Sequence, residues 1–209
     1  MDLILTIRRS IESIDYWTLR GLERKSKKKK TFINSSESPI SINFPNKRNR
    51  IWSMDFIHDS LSIGKGIRIL IIMDIYTRKV VGYKVDRSIT GNEVVDILKS
   101  SIEENGKLEI LRSDNWPEFI SKSLNRFLFK ERIKYEFIEK GKPYKNGYIE
   151  SLMDKLRDEC LNLYLFRNIY EARTIIGNYI DYYNNERPHS SIGYDTLTHF
   201  DKKLYTIKL

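Results

Sequence analysis

The run "IRILIIMDIY", Ile67 to Tyr76, is apolar at almost every position. A strand with one wet face alternates apolar and polar residues, whereas a strand buried on both faces does not. This run therefore predicts the centre of a sheet covered on both sides. Upstream, "SIGKG" (Ser62 to Gly66) is a turn signal, and "IWSMDFI" (Ile51 to Ile57) has strand composition, so the two runs predict a hairpin. Downstream, "RKVVGYKVD" (Arg78 to Asp86) places Val81, Tyr83 and Val85 at alternate positions and reads as a third strand.

The pattern then changes. Thr90 followed by Glu93 makes a capping box; Val94, Ile97, Leu98 and Ile102 form a helical stripe, and Gly106 stops it. "LEILRSD" (Leu108 to Asp114) is strand four, Ser121 to Ile133 is a helix with Leu124, Phe127 and Leu128 on one side, and "KYEFIE" (Lys134 to Glu139) is strand five. After the loop "KGKPYKNG" (Lys140 to Gly147), the residues Ile149, Leu152, Met153, Leu156 and Cys160 mark one face of another helix. The last predicted helix opens at Asn168, with Glu171 at its third position. It carries Ala172, Ile176, Tyr179, Ile180 and Tyr183 and ends by Pro188. A meander followed by helix–strand alternation predicts an α/β fold: a mixed five-stranded sheet with helices on both faces and a C-terminal helical extension.

Three regions follow: a basic arm or linker over 1–50, a core over 51–165, and the extension and tail over 166–209. In the arm, Leu3, Ile4, Ile7, Ile11 and Ile14 recur at helical spacing, and "ERKSKKKK" (Glu23 to Lys30) is a block of positive charge. That block suits either a solvated tail or an arm for DNA phosphates.

The 209 residues carry 37 Lys and Arg against 28 Asp and Glu, a net charge of +9, which favours a polyanionic partner, nucleic acid above all. With one alanine, Ala172, and no glutamine, part of the lysine excess reads as drift in an AT-rich genome. A single cysteine, Cys160, excludes an internal disulfide or a cysteine zinc site, and His58, His189 and His199 lie far apart. No apolar run approaches the ~20 residues of a membrane span. The expected location is the cytoplasm, with no membrane partner.

Three acids stand out by position. Asp55 interrupts an apolar strand, on the face opposite Trp52, Met54 and Phe56. A carboxylate there is costly unless paired or bound to a metal. Asp114 ends strand four, where mixed sheets place their ligands. Glu150 lies in the first turn of a helix, off its apolar stripe. Each alone also suits a capping or surface acid. Together they suit phosphodiester chemistry, in which two Mg²⁺ ions about 3.5–4 Å apart neutralise the attacking and leaving oxygens, and hard Mg²⁺ takes carboxylate oxygens.

Thirty-five residues separate Asp114 from Glu150. That spacing is similar to the one in retroviral integrases and their bacterial relatives, with Asp55 as the first acid. The blocks "WSMDF", "DIYTRKVVGY", "LRSDNWPEF", "GKPYKNGYIES", "RDECLN" and "YYNNERPHSSIGY" resemble, in order, those of bacterial insertion-sequence transposases of the IS-three group, over residues 50–200. The resemblance implies a ribonuclease-H-like fold, Mg²⁺-dependent end cleavage and strand transfer, with Mn²⁺ able to substitute. It implies Asp55, Asp114 and Glu150 as catalytic metal ligands. Arg157 matches the family's basic residue seven positions after the glutamate, and Asn115 and Glu118 match its signature after the second acid. The expected DNA contacts are Asn115, Lys142, Lys145, Asn146, Lys155 and Arg157. The implied partners are double-stranded transposon ends and target DNA, further copies of the chain, and a helix-turn-helix protein from an upstream frame, which residues 1–50 are too short to supply.

The chain departs from the family pattern at Trp116, where glycine is usual, at Leu152-Met153-Asp154, where Phe-Asn-Gly is usual, and at Thr196-Leu197, where Thr-Pro is usual. Trp116 is expected to project its indole at the mouth of the site. Two other readings stay open: an element remnant that binds DNA nonspecifically without cutting it, and a ribonuclease-H-type nuclease unrelated to mobility.

Overall fold

The computed structural model describes residues 45–138 and 146–206. Residues 1–44 of the N-terminal arm and the lysines Lys140, Lys142 and Lys145 lie outside the described residues. Strands β1 (Ile51–Ser60), β2 (Gly66–Asp74) and β3 (Val80–Asp86) form the antiparallel meander, and β4 (Ile110–Ser113) and β5 (Lys134–Phe137) add to it in parallel. The sheet order is β3-β2-β1-β4-β5. Helix α1 (Gly91–Asn105) connects β3 to β4, and α2 (Lys122–Glu131) connects β4 to β5. Helices α3 (Gly147–Glu159), α4 (Ile169–Asn185) and α5 (Leu197–Thr206) follow. This is the ribonuclease-H-like mixed sheet, with a helical C-terminal part. Among the described residues no helix is long and apolar enough to cross a membrane.

The two-residue period of the strands sorts the core into two layers. Trp52, Met54 and Phe56 of β1, with Leu70 and Ile72 of β2, pack beneath Val94 and Leu98 of α1 and Leu124 and Leu128 of α2. Ile51 and Ile57, with Ile69, Ile71 and Met73, face Ile149, Leu152 and Leu156 of α3 and Ile176 and Ile180 of α4. The continuous apolar run of β2 thus supplies both layers. Thr90 caps α1 through the capping box, and Asn168 accepts the Glu171 N–H at the start of α4. Close approach to β3 depends on Gly82, where a Cβ would stand 2.1 Å from Ser101 Oγ of α1.

The edge strand β3 is covered by side chains. Asn184 accepts from the Val80 N–H (3.0 Å) and donates to the Val80 carbonyl (2.9 Å). Asn105 donates to the Val81 carbonyl (3.3 Å), and Arg173 Nε to the Val85 carbonyl (2.9 Å).

Two expectations need correction. The helix from Asn168 is not the last: a 3₁₀ turn (Ser190–Ile192) and α5 follow Pro188. Leu197 is buried, and Leu197, Phe200 and Leu204 share one face of α5. Strands β4 and β5 are also shorter than the apolar runs that predict them.

Candidate active site

The shortness of β4 creates the site. It pairs with β1 only from Ile51↔Ile110 to Ser53↔Arg112, so β1 runs on past the end of its neighbour. The same register carried two residues further sets Asp114 across from Asp55. Asp114 therefore leaves the sheet beside Asp55, where the strand order switches from the antiparallel to the parallel neighbour of β1. Glu150 approaches on α3, which packs against β1.

The start of α3 is tied to β1 by Asn146. This residue is buried, and its side chain does not cap its own helix. Instead Ser53 Oγ donates to Asn146 Oδ1 (2.8 Å), and Asn146 Nδ2 donates to Asp55 Oδ2 (3.3 Å). Four residues on, Glu150 is exposed, and its N–H makes an early helical bond to the Asn146 carbonyl (3.1 Å). An acid at this end of a helix is favoured by the dipole.

The electrostatics tie the three acids together. Burial, chiefly, pushes the Asp55 carboxyl up to about 6; the Asp114 and Glu150 carboxylates push it further, against the Phe56 N–H that donates to it at 2.7 Å. Asp114 is raised by burial, and Glu150 by burial and by Asp154. The mutual repulsion falls on Asp55 because it is the most enclosed of the three. Its relief calls for a cation, and an all-oxygen donor set suits Mg²⁺ or Mn²⁺. The residues present fit such an ion in kind. Among the described residues, though, no three acidic, histidine or cysteine side chains already form an arrangement that could hold a metal.

The loop bearing Asp114 is fastened from the other face. Phe119 stacks on Phe56 (centroids 4.7 Å, 6° between planes). Arg68 of β2 reaches over the Phe56 ring, 4.1 Å from its centroid, and pairs with Glu118. This bond holds the Glu118 carboxyl below its usual range. The indole of Trp116, expected to project at the mouth of the site, packs against β1 near Asp55. It is half-buried, edge-on to Phe56 (6.2 Å, 84°) and 5.3 Å from His58, because beyond Ser113 no strand covers this side of β1 and the indole fills the space. Its N–H acts on Asp55 and lowers that carboxyl's pKa, although the buried Nε1 makes no hydrogen bond of good geometry.

Of the residues expected to touch DNA, Asn115 is exposed and Lys155 half-buried, with Lys155 Nζ bonded to Ser151 Oγ (2.8 Å). Arg157 Nη2 reaches the His58 carbonyl (3.4 Å), alongside the free end of β1. Asn146 is turned inward, its amide engaged by Ser53 and Asp55. Sequence reasoning gave no role to Ser53 or Arg68. Ser53, one strand period from Asp55, was the available signal; Arg68, a charge inside an apolar run, was another.

Parallel strands that deliver two carboxylates to one switch point, with a third on the following helix, define an integrase core. Residues 45–143 and 131–196 match two family models, each described as Integrase core domain, and the chain belongs to this family in its insertion-sequence branch. Among its relatives is a 31.7 kDa protein of insertion element IS407 from Burkholderia multivorans, 33% identical over 183 residues, covering 88% of this chain and 65% of that protein. Another is a 39.2 kDa protein of insertion element IS476 from Xanthomonas euvesicatoria, 37% identical over 170 residues, covering 81% and 48%. The chain thus spans about half to two thirds of these relatives. The catalytic core of HTLV-2 integrase in complex with magnesium shares the fold, with a TM-score of 0.52 at 21% identity, covering 72% of this chain and 95% of that one.

Proposed function

We propose that the chain is the catalytic part of a transposase that cuts the ends of its element and joins them to target DNA, with Asp55, Asp114 and Glu150 as its metal ligands. The observation that carries this reading is the β1–β4 register, which, carried two residues on, sets Asp114 across from an Asp55 whose carboxyl is raised chiefly by burial and further by both other acids. Mg²⁺, when bound, would supply charge neutralisation at the attacking and leaving oxygens; magnesium in the HTLV-2 integrase core supports that choice of ion. Asp55 on β1 and Asp114 just past β4 would hold the ion, and Glu150 would close the set from α3. Asn146 orients the Asp55 carboxylate and ties α3 to the strand. Lys155 and Arg157 hold DNA phosphates along α3, with Asn115 after β4 and the loop lysines Lys142 and Lys145 as further contacts. DNA ends, target DNA, further copies of the chain and a separate helix-turn-helix protein are the partners in this reading.

The test uses the full chain with labelled element ends in Mg²⁺ and in Mn²⁺. Asp55→Asn, Asp114→Asn and Glu150→Gln should each lower strand transfer by about 10³-fold or more, since each keeps shape and removes a ligand charge worth several kcal/mol. Near-wild-type turnover in any one removes that residue from the site. A wild-type chain that binds ends but never cuts them under either metal is a DNA-binding remnant. Cleavage of RNA–DNA hybrid without strand transfer would identify a nuclease.

A further inference from the structure

Two of the sequence blocks, "RDECLN" beyond its Arg157 and "YYNNERPHSSIGY", have no part in the chemistry above, yet they meet in space. Glu159 of the first is the last residue of α3. An acid there faces the negative end of the helix dipole and is unfavourable on its own. Arg187 of the second block compensates it with a two-pronged contact, Nη2 to Oε1 (2.5 Å) and Nε to Oε2 (2.8 Å), and the Tyr179 hydroxyl donates to Oε2 (3.0 Å). Arg187 is itself fixed. Its N–H donates to the Tyr182 carbonyl (2.8 Å), and the next turn is folded back by His189 Nε2 against the Tyr183 carbonyl (3.0 Å).

We propose that Glu159, Arg187 and Tyr179 form a clamp that positions Glu150, by fixing the register of α3 against the sheet. The inference rests on Glu150 being the third acid of the site. Ile149, Leu152 and Leu156 bury one face of α3, but apolar contact is non-directional and leaves sliding and rotation weakly determined. Directional bonds supply the register. Asn146 ties the first turn to β1, and the Arg187 fork ties the last turn to α4, whose Ala172, Ile176 and Ile180 are seated in the core. With one end held, a small rotation at the other displaces Glu150 from Asp55 and Asp114. With both held, its reach is set.

Cys160 supplies the readout. It is the chain's one cysteine, follows Glu159 directly and is buried. In the full chain, Glu159→Gln and Arg187→Lys should each raise the rate at which a thiol-specific reagent labels Cys160 by roughly tenfold, because a charge-assisted fork no longer closes the foot of α3. Both should also weaken binding of Mn²⁺ alone, followed by quenching of tryptophan fluorescence, by several-fold, while the melting temperature moves little. The swap Glu159→Arg with Arg187→Glu should recover both signals in part. Unchanged labelling overturns the clamp. Faster labelling with unaltered Mn²⁺ affinity makes it structural only and overturns the positioning role. Failure of the wild-type chain to bind Mn²⁺ would instead sink the metal site itself, and the clamp's role with it; binding lost in Asp55→Asn but kept in both clamp variants overturns the clamp alone.

Discussion

Asp55 comes from a strand and Asp114 from the first residue after one, whereas Glu150 comes from a helix, and the two kinds of element are held differently. The strand acids inherit their places from backbone ladders: β1 is paired with β2 from Trp52 to Ser60, and β4 is paired on both sides. The loop after β4 is then pinned by Phe119 on Phe56 and by Arg68 on Glu118. The helix acid depends on side chains at the two ends of α3, Asn146 and Glu159, reaching partners 93 and 28 residues away. Backbone ladders fix position by many repeated bonds, whereas side-chain ties fix it by a few. The strand pair is therefore the rigid half of the site and the helix the adjustable half.

The largest expected effect tests the pinning of the strand-borne half. Arg68→Met should destabilise the fold by about 2–3 kcal/mol in chemical denaturation, because it leaves Glu118 mostly enclosed and unpaired. Adding Glu118→Leu should recover much of that loss. If the single variant melts like the wild type, the loop is held by its aromatic contacts alone.

A smaller effect separates the acids by pH. An unfolded chain ionises Asp55 near its ordinary 3.8 and the folded chain near 6. Between these values the native state binds more protons, so stability falls as pH rises, and the full penalty is present above pH 6. Asp55→Asn should thus stabilise the metal-free protein by about 2 kcal/mol at pH 7.5 and by little below pH 4. The exposed Glu150, as Gln, should change stability far less. Equal pH profiles for the two variants would erase the distinction between the rigid and adjustable halves.

The smallest effect concerns DNA. Lys155→Ala and Arg157→Ala, both on α3, should each reduce the log–log salt slope of duplex affinity by about 0.9. Asn115→Ala, on the strand side, should leave that slope unchanged. A salt slope altered by Asn115 and not by the two cations would place the phosphate contacts on the wrong half.

Much of this was legible in the sequence. The Ile67 to Tyr76 run announced a strand covered on both faces, the Thr90 box marked a helix start, and the 35-residue gap from Asp114 to Glu150 pointed to the candidate acids. What could not be read was which polar atoms meet across the fold. Periodicity tells which face is apolar, but Asn146 to Ser53, Arg68 to Glu118 and Arg187 to Glu159 are joined only once the layers are stacked. The inward turn of Trp116 was hidden for a related reason: it depends on how soon β4 ends. Helix α5 was legible too, since Leu197, Phe200 and Leu204 recur at helical spacing, although the stretch was expected only as a tail.

The side chains laid along β3 bear on how such a protein behaves in company. An uncovered edge strand invites another chain to add itself to the sheet, the usual first step towards aggregation. Here an incoming strand would have to displace Asn184, Asn105 and Arg173 from Val80, Val81 and Val85 before it gained a single ladder bond. The opposite edge, β5, is four residues long and begins with Lys134. Copies of this chain can therefore meet through their helices and loops without their sheets fusing.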